Sequence, residues 1–208
     1  MAIISMPAGM LQSVEWSQQG GRPSSQRSSF GGRTKQLADL GPAPRWSATG
    51  EPIPWRSGSD NAIAWAAFEA ACQVPGNMFR LYATEAGQHI VGSGLPTFAT
   101  VTGAGNSGRS LALSGLAASA RNLRAGQSIT APLPDGDEQM IRLAAHLDAD
   151  GSGNAIAFLA TPLRRSPLPG AAVELAFPFA LMIATNSPGW AVDKAGIRSW
   201  KFECEEAF

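Results

Sequence analysis

The sequence is poor in the residues that metal sites, disulfide frameworks and nucleic-acid surfaces need. It has two cysteines, two histidines, and 16 basic residues balanced by 16 acidic ones. Cys72 and Cys204 are too far apart for a disulfide framework or a Cys-x-x-Cys metal site, so we expect two small core residues in a reducing compartment. A chain that neutralises phosphates normally has a basic excess, so nucleic acid is not an expected partner.

Long apolar runs are also missing. No run reaches the ~18 residues that a membrane-spanning helix requires. Residues 1–7 lack the basic region and the long apolar region of a secretory signal. The sequence therefore predicts neither a membrane anchor nor a signal peptide.

Lysine is scarce, and arginine supplies most of the positive charge. Only Lys35, Lys194 and Lys201 are lysines among the 16 basic residues. Arginine suits interface ion pairs, because its planar guanidinium binds a carboxylate through two parallel hydrogen bonds. This bias favours a protein that contacts other proteins.

Glycine and proline are abundant, with 23 and 15 residues. Such a composition favours many turns and short strands over long helices, so we expect a mainly β fold. Strand-like runs occur at 11–19, 33–40, 45–49, 77–84, 98–102, 110–113, 127–130, 140–147, 155–160, 179–183, 189–192 and 199–205. Residues 20–32 are expected to form a loop.

One segment has helical periodicity. It begins near Ser59 or Asp60, which are both good N-caps, and it ends before Pro75. Two apolar ridges run along it, and both are expected to be covered: Trp65, Phe68 and Cys72 form the first, and Ile63, Ala67 and Ala70 the second. The sequence therefore predicts one short helix packed on a sheet.

The distribution of tryptophan divides the chain. All six tryptophans and the single tyrosine lie outside residues 87–175. We therefore predict a core domain at 1–86, a small inserted antiparallel β domain at 87–175, and a return to the core domain at 176–208. In 199–205, Trp200, Phe202 and Cys204 alternate inward, and the C-terminal strand is expected to pair with the N-terminal strands.

Residues 148–154 (DADGSGN) form the most motif-like run. Asp148, Asp150 and Ser152 are weak candidates for the oxygen ligands of a calcium loop, since they occupy its positions 1, 3 and 5. Position 12 is Leu159, where calcium needs a bidentate carboxylate. The residue types also suit a tight turn, so a hairpin turn is the favoured interpretation.

Residues 103–108 match the pattern Gly-x-Gly-x-x-Gly of dinucleotide-binding loops. The pattern requires a helix directly after it and an acidic residue about twenty positions further on. No acidic residue lies near 123, and 110–113 fits a strand equally well. A turn is favoured, and a small nucleotide-binding enzyme remains the less favoured alternative.

No catalytic residue or cofactor is predicted. His89 and His146 have no neighbouring ligand whose spacing suggests a metal site, although His146 precedes Asp148 and Asp150. No serine lies in a Gly-x-Ser-x-Gly elbow. Sugar-binding surfaces usually present aromatic side chains, but 87–175 contains only Phe98 and Phe158, which are expected in its core. A carbohydrate- or cation-binding β module in 87–175 is the alternative function from a different class.

The order of elements resembles the distal tail proteins of long-tailed bacteriophages and prophages. The resemblance covers nearly the whole chain and is one of pattern, with no single diagnostic motif. It is carried by residues 14–16 (VEW), 22–33, 45–46 (RW), 65, 68, 76–81 (GNMFRL), 105–111 (GNSGRSL), 123–127 (LRAGQ), 150–155 (DGSGNA), 161–164 (TPLR), 190–193 (WAVD) and 202–208 (FECEEAF).

This resemblance implies a β-sandwich core with one short helix and an inserted small β-barrel-like domain. Copies would form a ring, typically six-fold, at the distal end of the tail tube. The expected partners are the chain itself, the tail tube protein, the baseplate hub or tape-measure end, and a receptor-binding or fibre protein. The expected location is the tail tip of the virion, after assembly in the bacterial cytoplasm. The resemblance implies a structural protein that is not an enzyme.

Overall fold

The protein is mainly β with a single α-helix among its described residues, as the sequence predicts. The structure, a computed structural model, describes residues 2–7, 11–19, 24–27, 34–37, 44–83, 88, 94–103, 106, 108–186 and 189–207. The helix, α1, is Asp60–Cys72. Its 13 residues are too few to cross a membrane, and the described residues contain no other helix that could. The strands are β1 (Ile3–Ile4), β2 (Leu11–Gln19), β3 (Ser24–Arg27), β4 (Thr34–Leu37), β5 (Arg45–Pro52), β6 (Trp55–Arg56), β7 (Met78–Tyr82), β8 (Phe98–Val101), β9 (Ser110–Ser114), β10 (Arg121–Leu123), β11 (Ser128–Pro132), β12 (Glu138–Arg142), β13 (Leu147–Asp148), β14 (Ala155–Phe158), β15 (Ala172–Glu174), β16 (Phe179–Ala184), β17 (Gly189–Val192) and β18 (Ile197–Glu206).

An eight-stranded sheet, here called the first sheet, combines strands from both ends of the chain. Its order is β1-β7-β16-β18-β5-β2, and β6 and β17 pair with the N-terminal half of β18. Phe202 and Cys204 of β18 lie opposite Gly50 and Ala48 of β5. The predicted pairing of the C-terminal strand with N-terminal strands is therefore confirmed.

The middle of the chain forms a small antiparallel barrel-like sheet, here called the barrel. Its order is β12-β11-β15-β8-β9-β14, so all six strands lie between Phe98 and Glu174. A bridge between Leu143 and Leu159, which directly follow β12 and β14, links the ends of the two outer strands at one point, so the sheet curls into a partial barrel. Leucine, isoleucine, valine and alanine fill its core, which contains no aromatic residue among those described.

The first sheet has an aromatic core, and α1 covers one face of it. Trp65 of α1 stacks on Phe202, with ring centroids 6.2 Å apart. Phe68 meets Phe79 edge to face at 5.2 Å. The inward register predicted for β18 is confirmed, because Trp200, Phe202 and Cys204 are all buried.

The helix begins where its cap predicts, but only one of its two ridges is covered. The Ser59 hydroxyl oxygen accepts a hydrogen bond from the backbone N–H of Ala62 at 3.3 Å. Trp65 and Phe68 are buried, whereas Ile63, Ala67 and Ala70 are exposed. The expectation that both ridges are covered is wrong, because the sheet lies on one side of the helix only.

Two strand predictions also need correction. Part of the expected loop at 20–32 is β3, which pairs with β4 in a separate two-stranded sheet. The expected strand at 140–147 is two strands, β12 and β13. The ladder between β11 and β12 ends at Arg142, and β13 pairs with β10 in another small sheet.

Candidate functional site

The turn at 148–154 is held by its own side chains. The Asp150 carboxylate oxygen Oδ1 accepts hydrogen bonds from the backbone N–H groups of Ser152 at 2.8 Å and Asn154 at 2.9 Å. These bonds hold the pKa of Asp150 below its usual value, and the bond from Asn154 has the largest effect. The carboxylate is engaged in building the turn, as aspartate often is.

Asp148, at the start of this run, is engaged by another partner. Its carboxylate oxygen Oδ1 lies 2.8 Å from Nε of Arg121, and the hydrogen bond from Arg121 lowers its pKa. Ser152 is exposed. In the described part of the chain, no three histidine, cysteine, aspartate or glutamate side chains come together as a metal ligand set.

The turn reverses the chain but does not join two paired strands. It follows β13, which pairs with β10, and precedes β14, which pairs with β9. Gly153 has a φ of +77°, and a Cβ built on it would lie 2.6 Å from the carbonyl oxygen of Leu116. The turn therefore rests closely on the segment after β9 and links a small sheet to the barrel.

The Gly-x-Gly-x-x-Gly segment lies between two strands. Asn106 organises it: its amide nitrogen donates to the carbonyl oxygen of Thr102 at 3.0 Å, and its amide oxygen accepts from the N–H of Ala112 at 2.9 Å. The chain then continues as β9, where a dinucleotide site needs a helix. Gly103, Asn106 and Gly108, the residues of this run that the structure describes, lie between β8 and β9, and the other three positions of the expected turn lie outside the described residues.

The remaining candidate site residues, the histidines and the two phenylalanines, do not come together in one site. His146 accepts a hydrogen bond on Nδ1 from the N–H of Ala125 at 2.9 Å, and His89 lies outside the described residues. Phe98 and Phe158, expected in the core, are each 54% exposed. They lie on β8 and β14 with their side chains at the surface of the barrel. The expectation that they are core residues, which was based on residue type, is therefore wrong.

Burial raises the pKa of both thiols. Burial and, to a lesser extent, Glu69 raise the pKa of Cys72 to about 11. Burial raises the pKa of Cys204 to about 12, although the thiol donates to the carbonyl oxygen of Ala48 at 3.4 Å. Nucleophilic cysteines have lowered pKa values, so neither residue has the environment of a catalytic thiol.

A cluster of buried polar contacts lies at the junction between the first sheet and the barrel. The Thr130 hydroxyl donates to the carbonyl oxygen of Phe179 at 2.7 Å and accepts from its N–H at 2.8 Å. The indole N–H of Trp46 donates to the carbonyl oxygen of Met140 at 2.7 Å. These bonds fix β11 and β12 of the barrel to β16 and β5 of the first sheet.

A buried ion pair reinforces this junction. Arg164, in the segment after β14, donates through Nη1 to Oε1 of Glu206 at 3.1 Å and through Nη2 to Oε2. Glu206 is fully buried and also accepts from the N–H of Trp46 at 3.0 Å. Burial raises the pKa of the Glu206 carboxyl, and Arg164 partly opposes this effect.

Gln139 ties the same segment to the barrel. It is 1% exposed, its amide oxygen accepts from the N–H of Arg164 at 2.9 Å, and its amide nitrogen donates to the carbonyl oxygen of Pro162 at 3.2 Å. The roles of Arg164, Glu206 and Gln139 were not predicted from the sequence. One signal was present, because Glu206 continues the inward register of Trp200, Phe202 and Cys204, and a carboxylate at an inward position requires a partner.

A cleft of about 710 Å³ opens between the two sheets on the other side of β7 from α1. Phe98, Phe177 and Phe179 line it together with Arg80 and Glu138. The Arg80 guanidinium lies 4.5 Å above the ring centre of Phe179 and 3.4 Å from a carboxylate oxygen of Glu138. Burial raises the pKa of Glu138, and the contact with Arg80 partly offsets the rise.

The arrangement offers surfaces for contact and a fixed junction, with no converging set of reactive groups among the described residues. Comparison with known proteins adds no relative: no protein-family model matches the chain, and no curated protein matches it.

Proposed function

We propose that the chain is a structural protein of the virion of a long-tailed bacteriophage or prophage, of the distal tail protein class. Copies form a ring at the distal end of the tail tube and connect it to the baseplate hub and the receptor-binding apparatus. The observation that carries the proposal is the architecture. A barrel is inserted between strands of a helix-covered first sheet, which is the arrangement that the sequence resemblance implies.

The junction supports an adaptor role. Domains within one chain usually move relative to each other unless their interface is extensive. Here Thr130, Trp46 and the pair of Arg164 with Glu206 make buried hydrogen bonds across the boundary. A connector that fixes the position of other proteins benefits from such a rigid unit.

The edge of the first sheet supports assembly with other chains. Strand β2 has nine residues and pairs only with β5 among the described strands. Its only charged residue is Glu15, and it contains no proline. Soluble proteins usually protect long edge strands with charges or proline, so an edge of this kind suits pairing with another protein.

The proposed partners are other copies, the tail tube protein, the hub or tape-measure end, and a receptor-binding or fibre protein. The proposed location is the tail tip, reached after assembly in the bacterial cytoplasm. No catalytic activity, cofactor, nucleic acid or membrane anchor is part of the proposal.

Electron microscopy of tails tests this function. Antibodies against the chain, used with gold labelling on particles from the phage or induced prophage that encodes it, should mark the tip of the tail. Particles made without the chain should lack the tip and fail to adsorb. Normal tips in its absence, or label confined to the head or tube, would disprove the proposal.

A further inference from the structure

The barrel side of the cleft places an exposed aromatic ring beside a carboxylate. Phe98 of β8 and Glu174 of β15 are direct partners across the two strands, so their side chains stand next to each other on the outer face of the barrel. Both residues line the cleft, as does Phe177. The side chains of Phe98 and Phe177 are 54% and 40% exposed. A ring beside a carboxylate attracts a cation in two ways, through the ring face and through the carboxylate oxygens.

The Glu174 carboxylate is held in place by only one of its oxygens. Oε1 accepts hydrogen bonds from the backbone N–H groups of Ala176 at 2.9 Å and Phe177 at 2.8 Å. Among the described residues, none forms a hydrogen bond or an ion pair with the other oxygen, Oε2. A side chain that is already fixed loses little conformational freedom when it binds a ligand. Glu174 is therefore a preorganised acceptor with one oxygen to spare.

Glu138, the second carboxylate of the cleft, is also short of donors. Its Oε1 lies 3.4 Å from Nη2 of Arg80, and its Oε2 is buried without a hydrogen-bond partner. A buried polar atom without a partner costs free energy. The one cation that the chain itself supplies to the cleft therefore does not satisfy both carboxylates.

The cleft carries more negative than positive charge. Of the described residues that line it, Arg80 is the only basic one, whereas Glu138 and Glu174 are both acidic. Arg80 is engaged, since its guanidinium lies 4.5 Å above the ring centre of Phe179 and contacts Glu138. This internal contact, a guanidinium on a ring and beside a carboxylate, is the arrangement that Phe98 and Glu174 offer to a second cation.

We propose that the cleft binds an arginine side chain carried by a short segment of a partner protein. The guanidinium stacks on Phe98 and donates to Oε2 of Glu174. Arginine suits the site better than lysine, because its planar group stacks on a ring and donates to a carboxylate at the same time. The volume of about 710 Å³ is typical of sites for ligands larger than one side chain, so a segment of several residues fits the cleft. The inference rests on the proposed function for the identity of the partner, a neighbouring tail protein, whereas the binding chemistry rests on the cleft alone.

Titration with blocked pentapeptides tests the class of ligand. The probes have the sequence Ala-Leu-X-Leu-Ala, in which X is arginine, its neutral isostere citrulline, or glutamate, and NMR follows the backbone amides of the full chain. The arginine peptide should bind about tenfold more tightly than the citrulline peptide and should shift the amide signals of Phe98, Ala176 and Phe177. Equal affinities, or no binding at millimolar concentrations, would overturn the proposal. Tighter binding of the glutamate peptide would overturn it too, since Arg80, whose side chain is 43% exposed, would then select the ligand.

Substitution of Glu174 locates the site. Glu174→Gln keeps an oxygen that accepts the two N–H groups but removes the charge, so the preference for arginine over citrulline should fall to about twofold or less. Glu203→Gln is the matched control, because Glu203 is exposed on β18 and does not line the cleft. An unchanged preference in Glu174→Gln, or an equal loss in Glu203→Gln, would refute the assignment.

Phe98→Leu gives a second variant that does not depend on the turn held by Glu174. Leucine keeps an apolar surface and removes the ring, so the arginine peptide should lose more affinity than the citrulline peptide. Circular dichroism checks that each variant folds. Equal losses for the two peptides would show that the ring does not stack on the guanidinium and would contradict the proposed pose.

Gold labelling of tails separates this inference from the function on which it rests. Labelled tips together with a chain that does not distinguish arginine from citrulline would overturn the cleft inference and leave the tail function standing. Selective binding of the arginine peptide by a chain that is absent from tail tips would support the site and disprove the tail function.

Discussion

Gly50 of β5 lies directly opposite Phe202 of β18, and the ring of Phe202 occupies the space where a side chain at position 50 would begin. A Cβ built on Gly50 would lie 2.6 Å from Cε1 of that ring. The ring has little freedom to move, because Trp65 and Phe79 pack against it with centroids at 6.2 and 6.0 Å.

Gly50→Ala should therefore destabilise the first sheet. Forcing a methyl group into a packed core typically costs about 1–3 kcal/mol. The free energy of unfolding, measured by urea denaturation, should fall by that amount. Gly151→Ala is the control, because its nearest neighbour would be Ser119 Oγ at 3.9 Å. If Phe202→Leu does not reduce the cost of Gly50→Ala, the ring is not the obstacle.

Breaking the buried ion pair should destabilise the junction strongly. Arg164→Met leaves the Glu206 carboxylate buried without its cation, a change that typically costs about 3–5 kcal/mol. Arg165→Met is a matched control, since Arg165 pairs with Asp135 and their side chains are 61% and 51% exposed. Such surface pairs contribute only about 0–1 kcal/mol. Similar losses of melting temperature in the two variants would contradict the assignment.

The cost of Arg164→Met should also depend on pH. Burial raises the pKa of Glu206, and loss of Arg164 removes an effect that lowers it. In the variant, the folded state holds its proton to higher pH than the unfolded state, whose glutamate pKa is about 4.3. Its stability is therefore greatest below that value and falls as pH rises through the folded pKa. Melting curves should show a larger deficit at neutral pH than under acid conditions, and a constant deficit would refute this account.

The thiols should be unreactive in the folded protein. Burial raises the pKa values of Cys72 and Cys204 to about 11 and about 12, so the thiolate is scarce at pH 8. A colorimetric disulfide reagent at that pH should react slowly with the native chain. Unfolding in guanidinium chloride should make both thiols react rapidly. Fast modification of native Cys204→Ser, which retains only Cys72, would show that Cys72 is more accessible than the structure indicates.

Asp150 should matter more for stability than Asp148, although both are acidic residues of the same run. Asp150→Ala removes the acceptor of two backbone N–H groups, whereas Asp148→Ala removes one exposed ion pair. Asp150→Asn keeps an acceptor oxygen and should lower the melting temperature less than Asp150→Ala.

The contribution of Asp150 should also vanish in acid. The folded pKa is lowered, so the stabilisation is present above the unfolded value of about 3.9 and is lost as pH falls through the folded pKa. Calcium should leave the melting temperature of the wild-type chain unchanged. If calcium raises the melting temperature of the wild-type chain and Asp148→Ala abolishes that increase, residues 148–154 bind calcium.

Local pattern was sufficient for most elements and for the overall class of fold. The alternation at 199–205 placed Trp200 and Phe202 inward, and Ser59 marked the start of the only described helix. The lack of tryptophan at 87–175 led to the prediction of an inserted antiparallel β domain, and the barrel found in this part of the chain has an aliphatic core. These features are encoded by neighbours in sequence, which is why a single sequence reveals them.

The contacts at the junction, and the choice of which apolar side chains are exposed, could not be predicted from the local sequence pattern. Arg164 and Glu206 are 42 residues apart, and no local pattern specifies which arginine meets which carboxylate. Helical periodicity showed that α1 is apolar on two sides, but it does not say which side the sheet covers. Phe98 and Phe158 were assigned to the core by residue type, although their strands carry them to the surface.

Strand β18 has a consequence for the order of folding. It pairs with β16, β5, β17 and β6, so it holds together strands that lie both early and late in the chain. During synthesis, every strand of the barrel is made before residues 197–206, and the barrel core is formed by its own residues. The N-terminal strands β5 and β2 must wait for β18, and during that interval their apolar side chains are exposed to solvent. Chaperone binding to nascent chains is therefore expected to be strongest before β18 emerges, and to end when the last strand enters the first sheet.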